Sequence, residues 1–99
     1  MLHIVNKSPL DRNALDTCLA TAQPGGAVLL IEDGVYAATT GTTAAARLTQ
    51  AMGQVKIYAL KPDLDARGMS DHVLQGVELV DYGGFVDLVA EHPVCQSWL

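Results

Sequence analysis

No run in this 99-residue chain approaches the roughly 18 consecutive apolar residues that a bilayer-spanning helix needs. The opening Met-Leu-His-Ile-Val-Asn has no basic segment ahead of a long apolar stretch, so a soluble cytoplasmic protein is the expectation. Basic residues are few: six Lys and Arg stand against eleven Asp and Glu, a formal net charge of −5. They are scattered through Lys7, Arg12, Arg47, Lys56, Lys61 and Arg67, and without a basic patch nothing points to direct nucleic-acid binding. Cysteine is scarce too. Cys18 and Cys95, in a chain without a secretion signal, read as thiols and not as a disulfide. The three histidines, His3, His72 and His92, are dispersed and read as surface residues, with His92 suited to the negative end of the last helix. The pair His92-x-x-Cys95 offers two ligands where a closed zinc site takes four, so no metal is expected. Charged residues amount to only 17% while apolar ones reach 49%. For so small a body that balance leaves apolar surface to be covered by another subunit.

What the chain does have is four short runs rich in Val, Ile and Leu, at 2–6, 27–32, 55–60 and 77–82. Each reads as a strand, and the second, apolar almost throughout, suits a strand covered on both faces. The segments between them are long enough for helices, which predicts parallel βαβ units. The first helix starts with Ser8 as N-cap, Pro9 at N1 and Asp11 at N3, and "QPGG" at 23–26 stops it. A second is capped by Thr42 or Thr40 and runs to Met52, ending at Gly53. The third connection reads as mostly loop, with Asp63 capping a single turn that ends at Gly68. The last helix, about 84–91, presents Phe85, Leu88 and Val89 at helical spacing before Pro93 halts it, and "VCQSWL" follows as a short tail. With no repeat, low-complexity tract or linker, residues 1–99 are expected to form one α/β domain of flavodoxin-like or Rossmann-like class. Its architecture is a three-layer sandwich around a mostly parallel sheet of four to five strands.

Such folds invite nucleotides, but the turn after the first strand, "NKSPLD", lacks the glycines that cradle phosphate. Its proline removes a binding N–H and its aspartate repels an anion, so no nucleotide cofactor is expected. No nucleophile-elbow pattern supports a hydrolase. "IEDG" at 31–34 sets Glu32 and Asp33 at the carboxyl end of a central strand, where α/β sheets place their crevices. The simpler account has Asp33 capping the next helix and Gly34 easing the turn. Cys18 shares one helix face with Leu15, Leu19 and Ala22 in an i, i+3, i+4, i+7 pattern. That apolar face suits a packing cysteine, because burial raises a thiol's pKa and mid-helix position gives it little help from the macrodipole.

Taken together, "LHIVNKSP", "LLIEDGVYAA", "KIYALKPDLDARG" and "VDYGGFVDLVAEHPVCQSWL" resemble the DsrH/TusB family over nearly the whole chain. The most specific pieces are His3, Ser8 and Pro9, the EDG turn at 32–34, "DLDARG" at 63–68, and "DYGGFVDL" followed by a near-terminal Trp98. The resemblance implies a flavodoxin-like fold and a hexamer holding two copies each of this subunit, a DsrE/TusD-like chain and a DsrF/TusC-like chain. In such complexes sulfur moves as a persulfide between cysteines, from an upstream donor to a DsrC/TusE-like acceptor, in sulfur oxidation or in 2-thiouridine modification of tRNA. The principal acceptor cysteine belongs to the DsrE/TusD subunit. Cys18 matches the cysteine that DsrH-type members carry in this helix and TusB-type members can lack, which makes it the candidate persulfide carrier of this chain. The alternative is an architectural subunit without sulfur chemistry. Among the aromatics that interfaces favour, Tyr36 and Trp98 are the candidate subunit contacts, whereas Phe85 and Tyr82 read as core.

Overall fold

The computed structural model describes residues 1–9 and 14–98. In chain order it holds β1 (Leu2–Val5), α1 (Ala14–Thr21), β2 (Ala27–Leu30), a 3₁₀ segment (Glu32–Ala38), α2 (Ala44–Ala51), β3 (Lys56–Leu60), α3 (Lys61–Ala66), a 3₁₀ turn (Ser70–His72), β4 (Glu78–Val80), α4 (Tyr82–Glu91) and β5 (Cys95–Trp98). The strands form one five-stranded sheet in the order β4-β3-β2-β1-β5, every pair parallel. This is the α/β sandwich expected from the apolar runs. β2 lies at its centre with all four residues buried, which is why its sequence shows no alternation.

Chain direction decides which face each helix covers. From β1 to β4 the sheet grows stepwise one way, so right-handed crossovers place α1, α2 and α3 together. Their Leu15, Cys18, Ala44, Leu48 and Leu64 pack with Val5, Val28, Leu30, Ile57 and Ala59 in the larger core. The step from β4 back to β5 reverses direction and carries α4 over the opposite face, where Leu88 packs with Leu2, Ala27 and Leu29. Among the described residues, three helices therefore cover one face and a single helix the other. Beside α4, Ile4, Ile31 and Tyr58 remain half-buried.

Several local expectations need correction. The "tail" is β5, a parallel edge strand paired to β1 with Leu2 opposite Cys95 and Val5 opposite Trp98. The "KPDLDARG" segment is α3, not mostly loop: Pro62 fits its first turn, Leu64 is fully buried, and Lys61 bonds Asp65 one turn on at 2.9 Å. Gly68, at φ +67, accepts the left-handed backbone that ends it. α2 is preceded by Thr43 with no side-chain cap, because the Thr42 hydroxyl donates to the Thr39 carbonyl at 3.4 Å instead. α4 begins at Tyr82, since the Asp81 carboxylate accepts from the Gly84 N–H at 2.8 Å and so caps the helix earlier than expected. On α4, Phe85 and Leu88 face inward, while Val89 is 40% exposed and Tyr82 63% exposed, so neither belongs to the core. The expected helix start at Ser8 to Asp11 extends into 10–13, outside the described residues; the helix described there is α1, from Ala14.

Candidate functional site

Cys18 sits where the periodicity of α1 sends it. Leu15 and Cys18 are buried, Leu19 and Ala22 half-buried, and all four belong to the core between α1 and the sheet. The sulfur has no solvent exposure, and burial pushes the thiol up to about 12. At neutral pH that leaves about one thiolate in 10⁵, and the thiolate is the species that attacks sulfur. Cys95 is the opposite case, exposed on the edge strand with its Sγ 3.6 Å from the His92 carbonyl. Its register partner Leu2 points to the α4 face, whereas Cys18 lies on the α1 face. The sheet separates the two thiols, so neither a disulfide nor sulfur transfer within the chain can join them in this fold.

His3 and Trp98 form a pair that the sequence did not announce. β1 and β5 run in register, with His3 beside Gln96 and Val5 beside Trp98, so the indole lies on the same face as the imidazole, two residues along. The indole N–H donates to His3 Nδ1 at 3.1 Å, and the ring centroids are 6.0 Å apart. His3 is buried, contrary to the surface role expected of it. Burial, followed by the positive amino terminus, lowers its pKa. A neutral ring is also what the bond requires, because an indole can only donate and Nδ1 must accept. Trp98, a candidate subunit contact, is thus half-buried and ordered by contacts within its own chain. Tyr36, the other candidate, is half-buried in the 3₁₀ segment, and its carbonyl accepts from both the N–H and the hydroxyl of Thr39. The fold does not bring the two aromatics into a ring contact among the described residues.

The EDG turn is a braced loop. Glu32 adopts φ +49, a left-handed conformation costly for a residue with a Cβ, and its N–H donates to the Asp63 carboxylate at 2.6 Å. Asp33 does not cap a helix. Its Oδ1 accepts from both Nε and Nη2 of Arg67, at 3.0 and 2.9 Å, while Arg67 Nη1 donates to the Asp63 carbonyl at 3.1 Å. Gly34 is required by space, since a Cβ there would lie 2.3 Å from the Val5 carbonyl oxygen. The "EDG" and "DLDARG" motifs therefore form one clamp that ties the end of β2 to α3. The Asp33 carboxylate is engaged by Arg67 and that of Asp63 by the Glu32 N–H, an arrangement that holds a turn. Among the described residues no group of three or more His, Cys, Asp or Glu gathers as a metal site, and no helix is long and apolar enough to cross a membrane.

Comparison with known proteins fits this geometry. The solved structures similar to the chain include the ychN protein of E. coli, with a TM-score of 0.81 at 18% identity and 97% of each chain covered. Another is MTH1491 of Methanobacterium thermoautotrophicum, with a TM-score of 0.70 at 21% identity, covering 97% of this chain and 95% of that one. At these identities the likeness establishes the fold alone. Among proteins, the chain is 41% identical to Protein TusB of Pectobacterium parmentieri over 98 residues, covering 99% of this chain and 100% of that one. It is 38% identical to Protein TusB of Escherichia coli K12 over 100 residues, again covering 99% of this chain and 100% of that one. The family described as "DsrH like protein" matches residues 7–94. With the fold, the paired motifs and full-length relatives in agreement, the chain belongs to the DsrH-like family that includes the TusB proteins.

Proposed function

We propose that this chain is the architectural subunit of a cytoplasmic sulfur-relay complex, built with DsrE/TusD-like and DsrF/TusC-like chains, two copies of each. In this reading the persulfide travels on cysteines of the partners, toward a DsrC/TusE-like acceptor. The observation that carries it is the state of Cys18: a thiol with no exposure and a pKa of about 12 is neither reachable nor nucleophilic at neutral pH. Family membership supports the sulfur-relay setting, and the surplus of exposed apolar side chains supports the assembly. A carrier role for Cys18 would require α1 to lift from the sheet, breaking the core that Leu15 and Cys18 share with Val5 and Val28.

The test is to assemble the complex, load it with a sulfane-sulfur donor, and read each cysteine peptide by mass spectrometry. The Cys18 peptide is expected to gain no sulfur, and relay rates are expected to match wild type in Cys18→Ala. Cys18→Ser is the less suitable replacement, because its hydroxyl would be buried without a designed partner. A gain of one sulfur atom on Cys18 that is lost together with relay in Cys18→Ala would establish the carrier role instead. Whether the end product is thiolated tRNA or oxidised sulfur is read by supplying each acceptor in turn.

A further inference from the structure

β5 is held on one side only. Among the described strands its neighbour is β1 alone, its Cys95, Gln96 and Ser97 are exposed, and Trp98 is the one side chain it turns inward. Apart from the ladder to β1, the strand hangs on that indole. The indole rests in turn on His3, whose Nδ1 accepts its N–H at 3.1 Å from an imidazole only 2% exposed. An indole nitrogen donates and never accepts. A proton taken up on Nδ1 therefore sets two donors against each other and places a cation inside the fold. Little beside the ring offsets that charge. Among the described residues, β2 offers Val28 and β5 offers Gln96, the register partners of His3, both uncharged. From α1, Leu15 and Cys18 turn to this side of the sheet, the latter a neutral thiol, while Asp16 is exposed and paired with Arg47 at 2.7 Å. The charge that does act on the ring is the positive amino terminus, which opposes a second positive charge. His92, on the link from α4 to β5, is the other imidazole near the strand.

We infer that the His3–Trp98 contact is a proton-operated latch: with His3 neutral, β5 is closed onto β1, and with His3 protonated, β5 swings off while β1 to β4 and their helices stay folded. The separation follows from what each part is made of. β5 contributes one half-buried side chain, whereas the body keeps both cores, with Leu2, Leu29, Leu48 and Leu64 fully buried in them. Because the closed form prefers the neutral ring, closure is complete above the ordinary histidine value of 6.5 and is lost as pH falls below it. Release bares the outer edge of β1, a row of backbone groups able to pair with another strand. Acid thus uncovers a pairing edge that neutral pH hides. The latch belongs to this chain by itself and does not depend on the subunit reading above.

The test is amide exchange, read segment by segment in the intact chain from about pH 7.5 to about pH 4.5, with each rate divided by its intrinsic chemical rate. The β5 amides, together with that of Leu2, which donates to the Val94 carbonyl at 3.0 Å, are expected to exchange about tenfold faster or more at the acid end, while those of β2 keep their protection. His3→Asn puts a non-titrating oxygen acceptor near the place of Nδ1, and it is expected to remove the acid response, which also separates His3 from His92. Trp98→Phe keeps a ring without a donor: β5 is expected to exchange fast at every pH, and the His3 ring, followed by NMR, to take its proton at higher pH than in the wild type. The wild-type profile can refute the latch whichever variant folds. If β5 ignores acid, or if β2 loses protection together with it, there is no latch. An acid response that survives in His3→Asn, or an unmoved His3 titration in Trp98→Phe, overturns it as well.

Discussion

Burial raises the Cys18 thiol from 9.0 to about 12, three units, so at any pH below 9 it holds about a thousandth of the thiolate of an unperturbed cysteine. Reaction with a disulfide reagent such as Ellman's reagent scales with that thiolate and also requires access, which is nil for Cys18 and ample for Cys95. At pH 8 the native chain is therefore expected to release one equivalent of chromophore quickly, from Cys95. The second equivalent should appear at least a thousandfold more slowly, at the rate of opening of α1. Adding guanidinium through the unfolding transition should merge the two phases, and Cys95→Ser should abolish the fast one. Two equal fast phases in the folded chain would refute the reasoning, because they would mean that Cys18 is neither buried nor suppressed. The same shift bears on stability. A thiol whose pKa is raised on folding contributes fully below its unfolded value of 9.0, and that contribution is lost as pH climbs from there toward 12. Alkaline unfolding should thus set in above pH 9 and be milder in Cys18→Ala.

Other outcomes follow from the packing. His3 has its pKa lowered in the folded chain, so the unfolded chain binds the proton first; stability should be full above 6.5 and fall as pH drops below that value, followed by fluorescence of the sole tryptophan, Trp98. Gly34→Ala puts a methyl 2.3 Å from the Val5 carbonyl, and overpacking of that kind costs about 1–3 kcal/mol, enough to lower Tm by several degrees in a thermal melt. Leu48→Ala empties a fully buried site beside the sheet and should cost about 2–5 kcal/mol by urea titration, with the m-value unchanged. Arg67→Ala releases Asp33 and the Asp63 carbonyl together; because the Asp33 carboxylate is more than half exposed, the loss should stay near 1 kcal/mol, but amide exchange at Glu32 should quicken.

The parallel sheet and its first four strands were legible because each lies in a short apolar run, most plainly "AVLL" in β2, where all four residues are buried. β5 was not, since "CQSW" has no apolar alternation: it is an edge strand whose Cys95, Gln96 and Ser97 are exposed, and only Trp98 turns inward. α3 was hidden by its shortness, six residues with one buried leucine. Cys18 was readable as a packing residue from helical spacing alone. The Arg67 clamp and the His3–Trp98 bond were not, because they join residues 34 and 95 positions apart, and no local pattern reports such pairs. The quoted motifs did contain all of these residues, so the family resemblance marked what spacing could not explain. Tyr82 and Val89 on α4 were misread for a simple reason: periodicity finds apolar faces without saying which one meets the chain's own core.

β1 pairs on one side with β2 and on the other with the last strand of the chain, His3 lying against Gln96. During synthesis β1 and β2 can join early, but the far edge of β1 stays open until the ribosome has delivered β5. His3 then waits, wet and free to take up a proton, for a tryptophan 95 positions further on. Nascent chains cut short anywhere before β5 would keep that edge bare, a ready template for pairing with other chains.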